Sequence, residues 1–335
     1  MKSPLISILI PFKNTESYIV ECLDSIVQQT YSHWELLIVD DGSTDGSYQL
    51  VQNYADKDSR IHLFRNDGKG IIEALRTGYK QTKGTCVTRM DSDDVMALNK
   101  LECMQQSLMS HGKGHLALGA VRYFSESGIG NGYKRYETWL NALTTRGTNF
   151  DEIYKECVIP SPCWMVFKTD FDSCGGFTPN IYPEDYDLAF RFYKQGLKCI
   201  PSNEILHHWR DYPIRTSRID VHYAENSFLE LKVDYFLELS HDKEKTLVIW
   251  GAGTKGKKVA QLLIRKRIAF EWVCDNPKKI GKDIYNQPLK PFEYLSRIKN
   301  YQSIISVANQ EAQSEIEQYF KTHKKTAMKD YFFFC

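Results

Sequence analysis

Three carboxylates lie within four positions at the end of the stretch Thr85-Cys-Val-Thr-Arg-Met-Asp-Ser-Asp-Asp94. Like charges this close together repel one another, so such a cluster persists mainly where a cation or a polyol holds it. Two further acids end the run Trp34-Glu-Leu-Leu-Ile-Val-Asp-Asp41 in the same way. Because each acidic cluster follows a strand-like run, the pair predicts one cleft for a metal-bound, oxygen-rich ligand.

Strand-length apolar runs alternate with helical patterns through the first half of the chain. The predicted strands are Leu5–Ile10, Leu36–Val39, Ile61–Phe64 and Cys86–Met90, and helices are predicted over about 17–29, 47–54 and 70–82. This alternation is typical of an α/β fold with parallel strands covered by helices on both faces. Ligands of such sheets gather at the carboxyl ends of the strands. We therefore expect Pro11, Asp40, Asp41, Asp91 and Asp93 to share one edge.

Composition excludes several classes of protein. The net charge of +1 gives no field that would draw the chain onto nucleic acid. No apolar stretch approaches the roughly 20 residues of a membrane span. Nine cysteines without any Cys-x-x-Cys pair favour reduced thiols in a cytoplasm over a disulfide framework or a zinc knuckle.

Residues 112–160 predict an insertion or lid in which only 116–124 has a clear strand pattern. Three aromatic residues, Tyr133, Tyr136 and Trp139, lie within it. Their rings either contact a ligand or pack a small core of the insertion itself, and the sequence favours packing.

Residues 4–218 resemble the family 2 glycosyltransferases, which are nucleotide-sugar-dependent enzymes with the GT-A fold. Six motifs in the same order carry the resemblance: Ile8-Leu-Ile-Pro-Phe-Lys-Asn14, Leu23-Asp-Ser-Ile-Val-Gln-Gln-Thr30, Val39-Asp-Asp-Gly-Ser-Thr-Asp45, Met90-Asp-Ser-Asp-Asp94, Gly175-Gly-Phe177 and Glu184-Asp185. Each motif alone is weak, but their order over some two hundred residues is specific.

The resemblance implies a divalent cation, Mg²⁺ or Mn²⁺, that bridges the phosphates of the donor. Both ions need oxygen ligands and few protein groups. Asp93 is the first candidate ligand, Asp91 is expected near the ribose and the metal, and Asp94 near the donor sugar. Some GT-A enzymes complete the metal site with a histidine after the base, which makes His208 (or His207) a further candidate; a surface histidine without a ligand is the commoner alternative.

The resemblance also implies a nucleoside pocket. It would be formed by residues of the first two motif loops and by a basic side chain for the diphosphate: Pro11, Phe12, Asn14, Glu16, Asp40, Asp41 and Arg210. Alternatives remain open for several of them. Phe12 suits a core position equally well, Glu16 equally favours the start of its helix, and one of the aspartates suits the turn that follows. Arg210 either clamps the diphosphate or lies in a solvated loop.

An acceptor hydroxyl needs a carboxylate within hydrogen-bond reach to take its proton. By resemblance Asp185 is the base of an inverting single displacement, and Glu184 positions the acceptor or the sugar. The competing interpretation is that acids after Pro183 simply favour a helix N-terminus.

A second domain is predicted from the run Leu247-Val-Ile-Trp-Gly-Ala-Gly-Thr-Lys-Gly256. A strand, a Gly-x-Gly-x-x-Gly turn and a helix are typical of a small Rossmann-like nucleotide-binding unit. Gly251, Gly253 and Gly256 would admit a phosphate, and Asp275 would meet a ribose. We therefore expect a GT-A domain over 1–241 and a Rossmann-like accessory domain over 242–335, with a bound nucleotide left open.

The sequence thus predicts a cytoplasmic, metal-dependent, inverting glycosyltransferase acting on a saccharide or lipid-linked glycan, with cell-surface polysaccharide synthesis implied by resemblance. A lipid-borne acceptor would be compatible with peripheral contact at the inner face of the membrane. The alternatives are an NAD(P)-linked oxidoreductase and a non-catalytic nucleotide-sugar-binding protein. Donor sugar, base, acceptor and oligomeric state are left open by the sequence.

Overall fold

The computed structural model describes residues 3–215, 218 and 228–335. Its residues form two compact units: Met1–Phe150 with Val158–Arg215, and Asp151–Cys157 with Thr216–Cys335. The helix Phe228–Leu239 is grouped with the second unit, in which it packs on helix Thr254–Arg265. The sequence-based boundary at 241/242 lies after the first of these helices, so the contacts divide the chain earlier than the composition did.

The first unit alternates strands and helices as far as its fourth strand. Its strands are β1 (Ile6–Phe12), β2 (Trp34–Asp40), β3 (Ile61–Arg65), β4 (Cys86–Arg89), β5 (Val95–Met96), β6 (His115–Leu118), β7 (Ala120–Phe124), β8 (Trp164–Phe167), β9 (Lys198–Ile200) and β10 (Ile205–Arg210). Its helices are α1 (Ile19–Val27), α2 (Ser47–Ala55), α3 (Ile71–Tyr79), α4 (Lys100–His111), α5 (Asn131–Arg146), α6 (Lys168–Ser173) and α7 (Glu184–Lys194).

Seven of these strands form one sheet in the order β3-β2-β1-β4-β8-β6-β9. The first four are mutually parallel, which confirms the predicted α/β class. Strand β8 runs antiparallel to β4 and to β6. All seven residues of β2 are buried, as expected for a strand covered on both faces. A second sheet of three strands, β5-β10-β7, carries β10 beside the turn that follows β4.

Helix α5 spans sixteen residues of the segment that was predicted as an irregular insertion. Its buried residues Leu140 and Leu143 are three apart and so lie on one helical face. The rings of Tyr133, Tyr136 and Trp139 are half-buried and pack against the core of this unit. The rings therefore pack, but on the main core of the unit instead of on a small core of the insertion itself.

The second unit contains α8 (Phe228–Leu239), β11 (Thr246–Trp250), α9 (Thr254–Arg265), β12 (Glu271–Cys274), β13 (Asp283–Ile284), β14 (Gln287–Pro291), β15 (Tyr301–Ile305), α10 (Gln310–Thr322) and β16 (Tyr331–Phe333). Its sheet has the order β13-β14-β12-β11-β15-β16, in which the last five are mutually parallel. With β11 at the centre, the parallel strands follow the Rossmann-like order.

Within the part of the chain that the structure describes, no helix is both long and apolar enough to cross a bilayer.

Candidate active site

The carboxyl ends of β2, β1 and β4 lie side by side in the sheet of the first unit. Phe12 pairs with Asp40, and Leu9 pairs with Arg89. Neighbouring strands are about 4.8 Å apart and each residue advances about 3.3 Å along a strand. The turns after β2 and β4 therefore start about 10 Å apart across the sheet, and β4 ends three residues short of β2 along the strands. The register therefore brings the two acidic turns to one edge, as their positions after strands predicted.

The loop after β1 is tied to the loop after β2 by side chains. The Asn14 side-chain oxygen accepts a hydrogen bond from Thr44 N at 2.8 Å, and Glu16 Oε2 accepts one from Gly46 N at 3.0 Å. Asn14 has a φ of 52°, a conformation that asparagine tolerates better than most residues. Both residues predicted to contact the nucleotide thus use their side chains to hold the two loops together.

The two aspartates after β2 have different environments. Asp40 is buried, and its Oδ1 accepts a hydrogen bond from Ser43 N at 2.9 Å, which fits the turn alternative. Asp41 is less buried: its Oδ1 accepts hydrogen bonds from Asn66 Nδ2 and Gly70 N, and its Oδ2 faces Lys13 at 3.8 Å. Each aspartate thus has its Oδ1 bound by the protein, and Asp41 Oδ2 has Lys13 beside it.

Pro11 and Phe12 are the last two residues of β1, at the place where the nucleoside pocket is predicted. Pro11 is half-buried, whereas Phe12 is buried at 2 % exposure within the hydrophobic core. The ring of Phe12 therefore occupies a core position, which fits the core alternative for this residue.

Asp93 is a half-buried acid close to two further aspartates. Burial and the charges of Asp94 and Asp91 raise the pKa of Asp93 to about 7. Its Oδ2 accepts a hydrogen bond from Tyr212 Oη at 2.8 Å. Among the described residues, none donates a hydrogen bond to Asp93 Oδ1 or Asp91 Oδ2. These two oxygens make the turn a fitting site for a cation.

Asp94, predicted to lie near the donor sugar, has both carboxylate oxygens engaged by the protein. Asp94 is fully buried, and both its oxygens accept protein hydrogen bonds, from His207 Nε2 at 2.9 Å and from Arg210 N at 2.7 Å. A carboxylate used in this way anchors the turn to β10 instead of reaching a ligand.

The histidine that faces the acidic turn after β4 is His207, whereas His208 was the first choice from the sequence. Successive side chains of a strand point to opposite faces, so only one of two adjacent histidines can face Asp94. The His208 ring instead lies against Phe124, with 6.4 Å between ring centroids. Burial and the charge of Arg122 lower the pKa of His208. Among the described residues, no three side chains of His, Cys, Asp or Glu converge into a metal cage.

Arg210 was predicted to contact the donor, and its guanidinium is engaged by the protein. Its Nε donates a hydrogen bond to the Asp93 carbonyl at 2.8 Å, and its Nη2 pairs with Glu21. Arg215, which is buried, interacts electrostatically with Asp94 and Asp93 and lies over the Trp209 ring. Residues of β10 and of the segment after it thus hold the turn that contains Asp93 and Asp94 in place.

The start of α7 is joined to the turn after β4 by a buried arginine. Arg89 Nη1 donates a hydrogen bond to Glu184 Oε1 at 2.8 Å, and its Nε and Nη2 donate to Asp91 Oδ1 at 3.2 and 3.0 Å. Burial opposes the charge of Arg89, but attraction to Asp91 and Glu184 outweighs it and raises the pKa of this guanidinium. Glu184 is accordingly buried and paired.

Asp185 is half-buried beside this pair, in the first turn of α7. Burial and the negative charge of Glu184 raise the pKa of Asp185 to about 7, although Arg89 lowers it. A carboxylate whose pKa lies near neutrality suits proton transfer. Arg89 and Tyr212 were missed from the sequence, and His207 was named only as the alternative to His208, because each acts through a partner remote in the chain. A charged residue inside an otherwise buried strand was the available signal for Arg89.

Backbone geometry requires glycine at two positions of the Gly-x-Gly-x-x-Gly turn in the second unit. A Cβ on Gly256 would lie 2.1 Å from the Gly251 carbonyl oxygen, and Gly251 has a φ of +115°. A Cβ on Gly253 would meet nothing within 4 Å, so the turn is open there. Asp275 is exposed directly after β12.

Comparison with known proteins agrees with this geometry. The family model "Glycosyl transferase family 2" matches residues 7–175, about half of the chain. The chain is 41% identical over 197 residues to the UDP-Glc:alpha-D-GlcNAc-diphosphoundecaprenol beta-1,3-glucosyltransferase WfgD of Escherichia coli, covering 58% of this chain and 72% of that protein.

Two solved structures share the fold at 18% identity. They are S. aureus TarS 1-349 in complex with UDP-GlcNAc (TM-score 0.57; 78% of this chain and 72% of that chain) and the mannosyltransferase PcManGT from Pyrobaculum calidifontis in complex with GDP-Man and Mn2+ (TM-score 0.52; 78% and 69%). The chain therefore belongs to the family 2 glycosyltransferases and is a glycosyltransferase of GT-A fold that uses a nucleotide-sugar donor.

Proposed function

We propose that this enzyme is a metal-dependent, inverting glycosyltransferase that moves a sugar from its nucleotide donor to a hydroxyl of a saccharide or lipid-linked glycan. One observation carries the proposal: the salt bridges of Arg89 join the Asp91 turn to the Glu184 turn. A site for a metal and diphosphate is thereby held next to a carboxylate, Asp185, that suits a general base.

The acidic turn fits a divalent cation on the evidence of its charge. The pKa of Asp93 is raised by burial and by two neighbouring acids, although Arg215 lowers it, so a bound cation would stabilise its ionised form. Asp91 and Asp93 would hold the ion, since one or two carboxylates suffice when phosphates supply further oxygens. When bound, the ion would neutralise the charge that develops on the leaving diphosphate. The Mn2+ in the PcManGT complex is compatible with this ligand chemistry.

Asp185 would perform the proton transfer. Its carboxylate takes the proton of the acceptor hydroxyl while the hydroxyl oxygen forms a bond to the anomeric carbon of the donor sugar. The bond from that carbon to the phosphate oxygen breaks, and its electron pair leaves with the nucleoside diphosphate. Attack from the face opposite the leaving group inverts the anomeric configuration.

The nucleoside would lie at the ends of β1 and β2. Asp41 Oδ2 faces this pocket with only a distant Lys13 for a partner at 3.8 Å, so it is available to a base or ribose donor group. Pro11, Asn14, Glu16 and Asp40 would hold the loops that form the pocket wall. In this proposal Phe12, Asp94 and Arg210 support the site without touching the donor.

A saccharide acceptor carried on a lipid is supported by the relative from E. coli, whose name specifies a GlcNAc-diphosphoundecaprenol acceptor. We therefore place the enzyme in cell-surface polysaccharide synthesis, in the cytoplasm and peripherally at the inner face of the membrane. Co-sedimentation with vesicles that carry a polyprenyl-diphosphate sugar, compared with vesicles lacking it, tests this placement.

A donor screen tests the transferase proposal. Release of nucleoside diphosphate is measured with UDP-, GDP- and dTDP-sugars, with and without MgCl2 or MnCl2, for the wild type and Asp185→Asn. We expect metal-dependent release from one class of donor and loss of release in the variant. Proton NMR of the product then reports whether the anomeric configuration is inverted. Undiminished release by Asp185→Asn would remove the base from this mechanism.

A nucleotide ligand of the second unit is a separate proposal. The open space at Gly253, the exposed Asp275 and the Rossmann-like strand order support it. Gly251 and Gly256 lend it little weight, because backbone packing alone accounts for both. Binding of NAD(P) or a nucleoside diphosphate that persists in the Asp93→Asn variant would place a ligand in this unit.

A further inference from the structure

Arg89 is a charged side chain in a strand whose four residues are all buried. It is 5 % exposed and is the last residue of β4. A buried charge is costly unless it is paired and hydrogen-bonded, so an arginine at this position needs a reason. A leucine or valine would satisfy the packing of a buried strand equally well.

The two partners of Arg89 belong to the two halves of the reaction. Asp91, two residues on, stands in the turn proposed to hold the metal and the diphosphate. Glu184, 95 residues on, precedes the proposed base. A guanidinium presents five N–H donors in a rigid plane and can therefore hold two carboxylates at a fixed separation.

We propose that Arg89 is a positioning residue that fixes the base at the start of α7 relative to the donor-binding turn after β4. The inference rests on the proposed function and adds to it the element that aligns base and donor. Because reaction rates fall steeply when reacting groups are misplaced by even 1 Å, a tie of this kind acts on the chemical step.

The charge of Arg89 has a second consequence, for the protonation of Asp185. Three charged groups face Asp185: Glu184 and Asp91 raise its pKa, and Arg89 lowers it. Loss of the positive charge at position 89 would thus leave Asp185 protonated to a higher pH. Loss of the planar fork alone, with the charge retained, would disturb the alignment without this change.

Two variants separate these effects. Arg89→Lys keeps the charge but has no fork, and Arg89→Met removes both. Each is compared with the wild type for kcat and donor KM as a function of pH. Affinity for the nucleoside diphosphate that the wild type releases in the donor screen (UDP, GDP or dTDP) is measured by calorimetry in MnCl2, and melting is followed by circular dichroism so that only folded protein is assayed.

For Arg89→Lys we expect kcat to fall about tenfold or more while the Kd of the nucleoside diphosphate changes less than about threefold. Its pH midpoint for kcat should stay near that of the wild type. For Arg89→Met the pH midpoint for kcat should move upward by about one pH unit, because the positive charge that stabilises ionised Asp185 is lost.

Arg60→Lys is a matched control. Arg60 also forms an arginine fork with a carboxylate, through Nε and Nη2 to Asp58, but it lies at the amino end of β3. We expect this control to change melting at most, with neither kcat nor the pH midpoint affected.

Three results would overturn the proposal. One is a wild-type kcat in folded Arg89→Lys, another is a loss of melting temperature alone in both variants, and the third is a loss of nucleotide affinity with unchanged kcat. Failure of the proposed function looks different, since release by the wild type would then not depend on Asp185. With Asp185→Asn assayed in parallel, the two failures are distinguished.

Discussion

His207 Nε2 lies 2.9 Å from Asp94 Oδ2, and neither side chain is exposed to solvent. The other ring nitrogen, Nδ1, lies 3.2 Å from Lys100 Nζ. An ammonium group only donates, so Nδ1 accepts and we assign the ring proton to Nε2, which donates to Asp94. Burial and the charge of Lys100 hold the pKa of His207 well below its usual range. Asp94 is thus fixed to a neutral histidine inside the protein.

This relationship predicts that Asp94→Asn destabilises the first unit. Both oxygens of Asp94 accept hydrogen bonds, whereas an asparagine has one acceptor oxygen and would turn an amide N–H2 towards a donor. We expect a loss of about 1–3 kcal/mol in the free energy of unfolding, measured by urea denaturation at pH 7. Asp67→Asn, at an exposed position, should change it by less than about 0.5 kcal/mol. Equal stability of the two variants would contradict the assignment.

The raised pKa of Asp185 predicts how activity depends on pH. A general base must be ionised, so protonation below its pKa removes activity. Since the pKa of Asp185 is raised to about 7 by burial and by Glu184, kcat should rise with pH through about 7 and then level off. The measurement is kcat between pH 5.5 and 9 at saturating donor and metal. A flat profile over this range would show that Asp185 is not the titrating base.

Metal removal should abolish sugar transfer. We expect EDTA to stop release of the nucleoside diphosphate and added MgCl2 or MnCl2 to restore it. A cation that binds only the folded protein also stabilises it, by about 2.7 kcal/mol at 100 times its Kd. The melting temperature of the wild type should therefore rise with MnCl2, and that of Asp93→Asn should rise less. Transfer that survives EDTA would exclude the cation from the mechanism.

Two glycines of the second unit should respond differently to the same substitution. In Gly256→Ala the new Cβ would lie 2.1 Å from the Gly251 carbonyl oxygen, so the helix must shift away from β11. We expect a loss of about 3 kcal/mol in the free energy of unfolding, as for an overpacked core. Gly253→Ala has no neighbour within 4 Å and a φ of −79°, and should leave stability nearly unchanged. Equal losses measured by denaturation would contradict the close approach of Gly256 to Gly251.

Much of the first unit was predictable because its signals are local. The apolar run Leu5–Ile10 predicted β1, and the structure extends that strand to Phe12. The acids after β2 and β4 were predicted to share an edge because parallel neighbours end together. Helix α5 was missed, because its sequence is polar and rich in tyrosine and threonine, and tertiary packing of one face overrides such weak propensity.

The choice between two adjacent histidines is an example of what the local sequence did not decide. His207 and His208 have the same chemistry. Which of them contacts Asp94 depends only on which face of strand β10 is directed towards that residue. His207 is two residues from Trp209, so both side chains lie on the same face of β10. Because Trp209 is buried, its position was the local signal that favoured His207 over His208.

By itself, the sequence determined the family and the α/β order of strands and helices, and it nominated Asp93 and Asp185 as candidates. These follow from hydrophobic period and from motifs that are continuous in the chain. Tertiary structure alone decided which carboxylates accept hydrogen bonds from protein groups and which are linked to each other through a shared arginine. Arg89 meets Glu184 across 95 positions, and Asp94 meets His207 across 113. Contacts between residues so far apart depend on how strands are arranged side by side, and local sequence carries no record of that arrangement.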